Sequence, residues 1–244
     1  MKLKRLVPAL ILSLTLFACK KEVLTREVHF TATTYQTLGT FDSSGKPSYL
    51  LPKDPVSSNL MTYINNTLPE RSDLRTSHPD LLTTKAIADL AITQTSDVFL
   101  TFISDGTGNS NAIGFYTYPS NTPPKSPDDI TTITYAFPNA GYGTPLEPGD
   151  KVKLGRFNAG TSIGFAILQN AWNLTTKKLN NDAVHFCSND ILNPEVDPNL
   201  KKHAVLINFP SENKVIIGFE DINRTDGRCD HDFNDVMFYA TITP

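Results

Sequence analysis

Asp97-Val-Phe-Leu-Thr-Phe-Ile103 and Ala112-Ile-Gly-Phe-Tyr-Thr-Tyr118 are short runs dense in β-branched and aromatic residues, separated by the turn-rich Ser104-Asp-Gly-Thr-Gly-Asn-Ser-Asn111. Runs of this length, bounded by Gly, Asn, Ser and Asp, read as strands joined by a loop. The reading repeats downstream at 130–137, 151–157, 161–168, 203–209, 214–219 and 236–242. No helix of crossover length alternates with them, which argues against a parallel α/β sheet. The expected fold is all-β, an antiparallel β-sandwich or jelly roll.

Upstream of these strands the periodicity changes. Leu60, Met61, Ile64 and Leu68 fall at helical spacing behind Ser57 or Ser58 as N-cap, and Pro69 ends the run. A weaker helical pattern covers 81–90, which makes 56–95 a small helical N-terminal annex. Residues 19–55 are polar and punctuated by Pro47, Pro52 and Pro55, as a tether would be, although His29-Phe-Thr-Ala-Thr-Thr-Tyr35 alternates like a short strand. Residues 96–244 form the β-sandwich domain of this division.

The first residues have the three parts of an export signal. Lys2, Lys4 and Arg5 are followed by an apolar stretch from about Leu6 to Phe17, too short to span a bilayer, and then by Ala18-Cys19. The pattern predicts a lipoprotein signal peptide at 1–18, cleavage before Cys19, and lipidation of that cysteine. The protein would then sit in the cell envelope, held at a membrane, expected to be the outer membrane, by its acyl chains. Loss of the leading cations takes the formal charge from −3 to −6. A mildly acidic chain has no electrostatic footprint for nucleic acid. With Cys19 lipidated, Cys187 and Cys229 remain, and outside the cytoplasm they either pair as a disulfide or stay reduced.

The strongest chemical signal is Gly218-Phe-Glu220-Asp221-Ile-Asn223-Arg-Thr-Asp226-Gly-Arg-Cys229-Asp230-His-Asp232-Phe-Asn234-Asp235. Carboxylates this crowded repel one another, and a hard cation relieves the repulsion. Ca²⁺ accepts six to eight oxygens in flexible geometry, whereas zinc prefers His and Cys. The candidate ligands are Glu220, Asp221, Asp230, Asp232, Asn234 and Asp235, with Asp226 and, from the first loop, Asp105 and Asn111 as additional candidates. Asp230-x-Asp232-x-Asn234 copies the opening of an EF-hand loop, but Asp235 and Thr241 stand where that loop needs Gly and Glu, so an EF-hand is excluded. A solvated acidic loop is the alternative. The first loop is either a further ligand source or a hairpin connection whose Gly106 and Gly108 supply positive φ.

Glu220-Asp221 followed by Asp-x-Asp-Phe-Asn-Asp-Val-x-Phe resembles the signature of the family called domain of unknown function 4114 (DUF4114). Val98–Tyr118, Leu146-x-Pro-Gly-Asp150, Gly160-Thr-x-Ile-Gly-Phe165 before Trp172, and Ile64–Glu70 agree in order. The resemblance implies a calcium-associated, adhesin-like β-domain of exported or surface proteins, with no established reaction. Members often carry Glu where this chain has Asp105.

Catalytic patterns are weak. Gly160-Thr-Ser162-Ile-Gly164 fits G-x-S-x-G, but that motif works on a strand-to-helix turn, and Ser162 opens a strand. His185 and His203 have no context that marks a base. No catalytic residue is assigned, and the expected role is a non-catalytic, calcium-stabilised surface lipoprotein serving adhesion or structure. The alternative is a carbohydrate-binding lipoprotein, with Trp172, Tyr116, Tyr118, Tyr135 and Tyr142 as a stacking platform. A surface glycan or protein would be the ligand.

Overall fold

Alternate side chains of each long strand go to different clusters, and this period of two builds the molecule. Phe102 and Ile103, or Ile216 and Ile217, are neighbours in sequence yet belong to separate apolar clusters. In the computed structural model, which describes residues 23–83 and 89–244, the chain is all-β with a few short helices. The strands are β1 (Thr34–Thr37), β2 (Leu90–Ile92), β3 (Ser96–Asp105), β4 (Ala112–Pro119), β5 (Thr132–Phe137), β6 (Lys151–Phe157), β7 (Thr161–Leu168), β8 (Trp172–Asn173), β9 (Lys178–Leu179), β10 (His185–Cys187), β11 (Ala204–Phe209), β12 (Lys214–Phe219) and β13 (Val236–Thr243).

One sheet runs β1-β5-β4-β7-β10, with β2 also on β7, and a second runs β11-β12-β13-β3-β6. Pairing in both is antiparallel except for β1, which lies parallel to β5 with Thr34 opposite Thr132. The largest cluster draws Phe115, Phe137 and Phe165 from the first sheet and Leu100, Phe102, Phe219 and Phe238 from the second. The eight strands read from residue 97 onward are all present, and of these only β5 has a parallel neighbour, β1; the short strand read at 29–35 lies instead at Thr34–Thr37.

Helix α1 (Ser58–Thr67) is capped by Ser57, whose Oγ accepts from Leu60 N at 3.0 Å. Its Leu60, Ile64 and the following Leu68 are buried against Ile103, Val205, Ile216 and Tyr239 on the second sheet. A four-residue helix, α2 (Leu74–Ser77), follows with Asp73 as cap. The helix expected over 81–90 is corrected: Leu81 and Leu82 end a 3-10 turn, Leu90 opens β2, and 84–88 lie outside the described residues. Leu90 and Ile92 are buried at the edge of β7, so their apolar spacing belongs to a strand.

The segment expected to be a tether is tied down over its described part. Thr25 bridges Glu195, β1 joins the first sheet, and Leu51 bridges Lys151. Long-range pairing supplies the partners that its polar composition hides. No described helix is long and apolar enough to cross a membrane. The signal peptide and Cys19 lie outside the described residues.

Candidate functional site

The acidic segment leaves β12 at Glu220 and returns as β13 at Val236, so two neighbouring strands fix both of its ends. Between them the backbone takes positive φ at His231 (62°) and Phe233 (60°). Such conformations cost about 1–3 kcal/mol each in non-glycine residues and persist where surroundings over-determine them. Phe233 is fully buried beside α1, its N–H donates to Glu220 Oε1 at 3.0 Å, and the Arg224 guanidinium lies 5.0 Å from its ring centre. Gly218 permits the close approach: a Cβ there would stand 2.2 Å from the Phe233 carbonyl oxygen.

Among the described residues, Glu220, Asp230 and Asp232 each bring a carboxylate oxygen within 4.8 Å of the other two. Glu220 and Asp232 are buried and Asp230 is exposed. Asp232 accepts from Arg71 N at 2.7 Å and Asn234 N at 3.1 Å. Glu220 also accepts from the Cys229 thiol at 2.9 Å. These neutral donors do not balance burial. Burial pushes Asp232 up to about 7, with the charges of Asp230 and Glu220 adding to the effect. Burial also raises Glu220, and it raises Asp235 strongly, helped there by the Asp221 charge.

The other expected ligands divide. Asp221 accepts from Thr107, from Asn109 Nδ2 at 2.9 Å and from Asn111 Nδ2 at 2.5 Å, while its N–H donates to Asp235. The first loop therefore gives Asp221 hydrogen-bond donors rather than offering oxygens to a cation. The Asn111 amide oxygen accepts from Asn170 N at 3.1 Å. Asn234 donates its amide to Leu68 O at 3.3 Å and so holds the annex. Asp105, at the end of β3 opposite Val236, is outside the triad. Asp226 is turned to Arg228 at 2.7 Å, and those hydrogen bonds hold it down to about 2. Positive φ at Gly106 and Gly108 is corrected: neither glycine has it, and the left-handed residues around the site are Arg71, Asn170, His231 and Phe233.

A layer missed in the sequence lies beneath the triad. His203 Nε2 and Glu195 Oε1 are 2.9 Å apart and wholly buried, and Glu195 also accepts from Arg224 N at 3.1 Å. Arg224 Nε donates to His231 Nδ1, whose ring faces Cys229 at 3.2 Å. Burial and the Arg224 charge depress His231 to about 4. These residues are scattered in sequence, and only their pairing in space reveals them. Cys187 and Cys229 are not joined to each other in this structure. Cys187 is fully buried in β10, while Cys229 is engaged with Glu220.

A polar groove of about 620 Å³ opens beside the acids, lined among others by Thr107, Asn109, Gln169, Asn170, Asp221 and Asp235. Nothing in the sequence marked Gln169 or Asn170. Three of the five aromatics read as a platform, Trp172, Tyr116 and Tyr135, are corrected: they are buried to 2% exposure or less, while Tyr118 is partly buried and Tyr142 is exposed. Ser162 lies within β7 with Ser120 Oγ 2.8 Å from its own, not at a strand-to-helix turn.

The fold and site define an all-β domain that gathers carboxylates between two adjacent strands. Residues 157–243 match the family model described as domain of unknown function (DUF4114), so the resemblance carried by the C-terminal motif is established over that stretch. No curated protein and no solved structure matches the chain.

Proposed function

We propose that the protein is a lipid-anchored, non-catalytic lipoprotein of the cell envelope whose β-sandwich is stabilised by Ca²⁺ and serves adhesion or envelope structure. The observation that carries the reading is the convergence of Glu220, Asp230 and Asp232 within 4.8 Å, two of them buried. The donor set fits the ion: all three ligands are oxygens, and the groove leaves room for water to complete a flexible shell. A thiophilic metal fits less well, because the His231 nitrogen beside Cys229 already accepts from Arg224. Glu220, Asp230 and Asp232 would hold the cation. The large cluster shared by two sheets supports a sandwich; the exported, adhesin-like part of the reading rests on what the resemblance to the matched family implies.

Thermal unfolding in calcium and in chelator tests this. A cation at a hundredfold excess over its Kd stabilises by about 2.7 kcal/mol, which is roughly 5–10 °C of Tm for a chain of this size. Asp232→Ala should abolish most of that difference. Identical curves with and without calcium would refute the proposal.

The groove supports a second reading, a glycan-binding role carried by Asn109, Gln169 and Asn170 rather than by aromatic stacking. Sugar binding on a glycan array, lost in Asn170→Ala, would favour it; a blank array would favour the structural role.

A further inference from the structure

Four exposed large apolar side chains fall on two segments that the fold brings together at residues 23–26 and 191–196. Thr25 bridges Glu195, Val196 N donates to Leu24 O at 3.0 Å, and Arg26 N donates to Pro194 O at 2.8 Å. This antiparallel register places Leu24 opposite Val196. Glu195 turns inward to His203 and is fully buried, so alternation sends Val196 outward. Leu24 is 52% exposed, Val196 53% and Val23 71%. Ile191, 43% exposed, joins them through its carbonyl, which accepts from Arg26 Nη2 at 2.5 Å.

Chain length says what covers this patch. A fully extended chain advances about 3.3–3.6 Å per residue, so Leu24, five residues after Cys19, lies within roughly 18 Å of that cysteine whatever path the chain takes. Resting on the lipidation of Cys19 proposed above, this puts the patch next to a bilayer surface. Arg26 and Lys201 lie close enough for their charges to repel, and Lys20 and Lys21 precede them in sequence. Acids (Glu27, Asp190 and Asp197) stand beside the same residues, so the match to a bilayer rests on the exposed apolar side chains and their nearness to the acylated cysteine, which suit burial at the boundary of headgroups and acyl chains.

We propose that Val23, Leu24, Ile191 and Val196 form a membrane-facing surface that lays this edge of the domain on the lipid bilayer and fixes its orientation on the anchor. The acidic triad is then presented at a set angle to the membrane instead of swinging on a tether.

The test uses the full acylated chain in vesicles containing brominated phospholipid, which quenches tryptophan on contact. Trp172 is buried and gives a constant background. Val196→Trp should lose most of its added emission. Leu51→Trp, beside β6 at the sheet edge opposite β11, should keep its emission. Equal quenching at both positions, or none at Val196→Trp with acylated Cys19 confirmed by mass, would overturn the surface and leave the lipoprotein reading intact. Blue-shifted but unquenched emission would overturn it in favour of a protein partner. A mass spectrum showing unmodified Cys19 would remove both.

Discussion

Asp226 and Asp232 stand six residues apart on one loop and behave oppositely. Asp226 lies at the surface against Arg228, which holds it down to about 2. Asp232 is buried among other acids with only backbone N–H groups for partners, and is pushed up to about 7. The density of acidic residues is therefore not what marks the site. What marks it is burial of carboxylates that form no salt bridge among the described residues, while the neighbouring acid has one.

The comparison breaks first at the loop's apolar anchor. Phe233 holds the left-handed turn that separates the two environments, and Phe233→Ala should cost about 3–5 kcal/mol, read by chemical denaturation, with the calcium response lost as well. Retained calcium stabilisation in that variant would mean that the triad does not depend on the turn.

A smaller effect carries a sign. Without metal, Asp232 holds its proton more tightly folded, at about 7, than at its ordinary 3.8. The stability contributed by that proton is fully present below the ordinary value and is lost as pH rises through about 7. Metal-free protein should therefore lose stability, on the order of a few kcal/mol, between pH 4 and 8. Calcium should reverse the trend, since a cation needs ionised ligands. Asp232→Asn should flatten both profiles. A metal-free protein that gains stability as pH rises over this range would contradict the assignment.

Least of all should happen at the other acid. Asp226→Ala removes a surface pair and should leave stability almost unchanged, with the calcium-induced Tm shift intact. A lost shift would move the site onto Asp226 and erase the contrast.

How much of this was legible in the sequence follows from the range of each interaction. Strands rich in β-branched and aromatic residues, such as 97–103 and 161–168, and the helix behind Ser57, are local patterns and read correctly. The motif from Glu220 to Asp235 named the triad but could not sort it. Asp221 is taken by Thr107, Asn109 and Asn111, and Asn234 by Leu68, through contacts of more than a hundred residues' separation. Asp232 meets the backbone N–H of Arg71, which any side chain would offer. The parallel pairing of β1 depends on the same non-local closure, whereas the buried Glu195–His203 pair spans only eight residues and carries no sequence pattern that marks it. Trp172 and Tyr135 looked available for stacking because composition does not reveal which face of a strand is inside.

The most direct measurement is a crystal structure of the chain grown in calcium, with anomalous scattering used to locate the ion. The account requires one ion held by oxygens of Glu220, Asp230 and Asp232, with Asp226 still on Arg228. Those three carboxylates apart from one another in water, with no density among them in millimolar calcium, would contradict it.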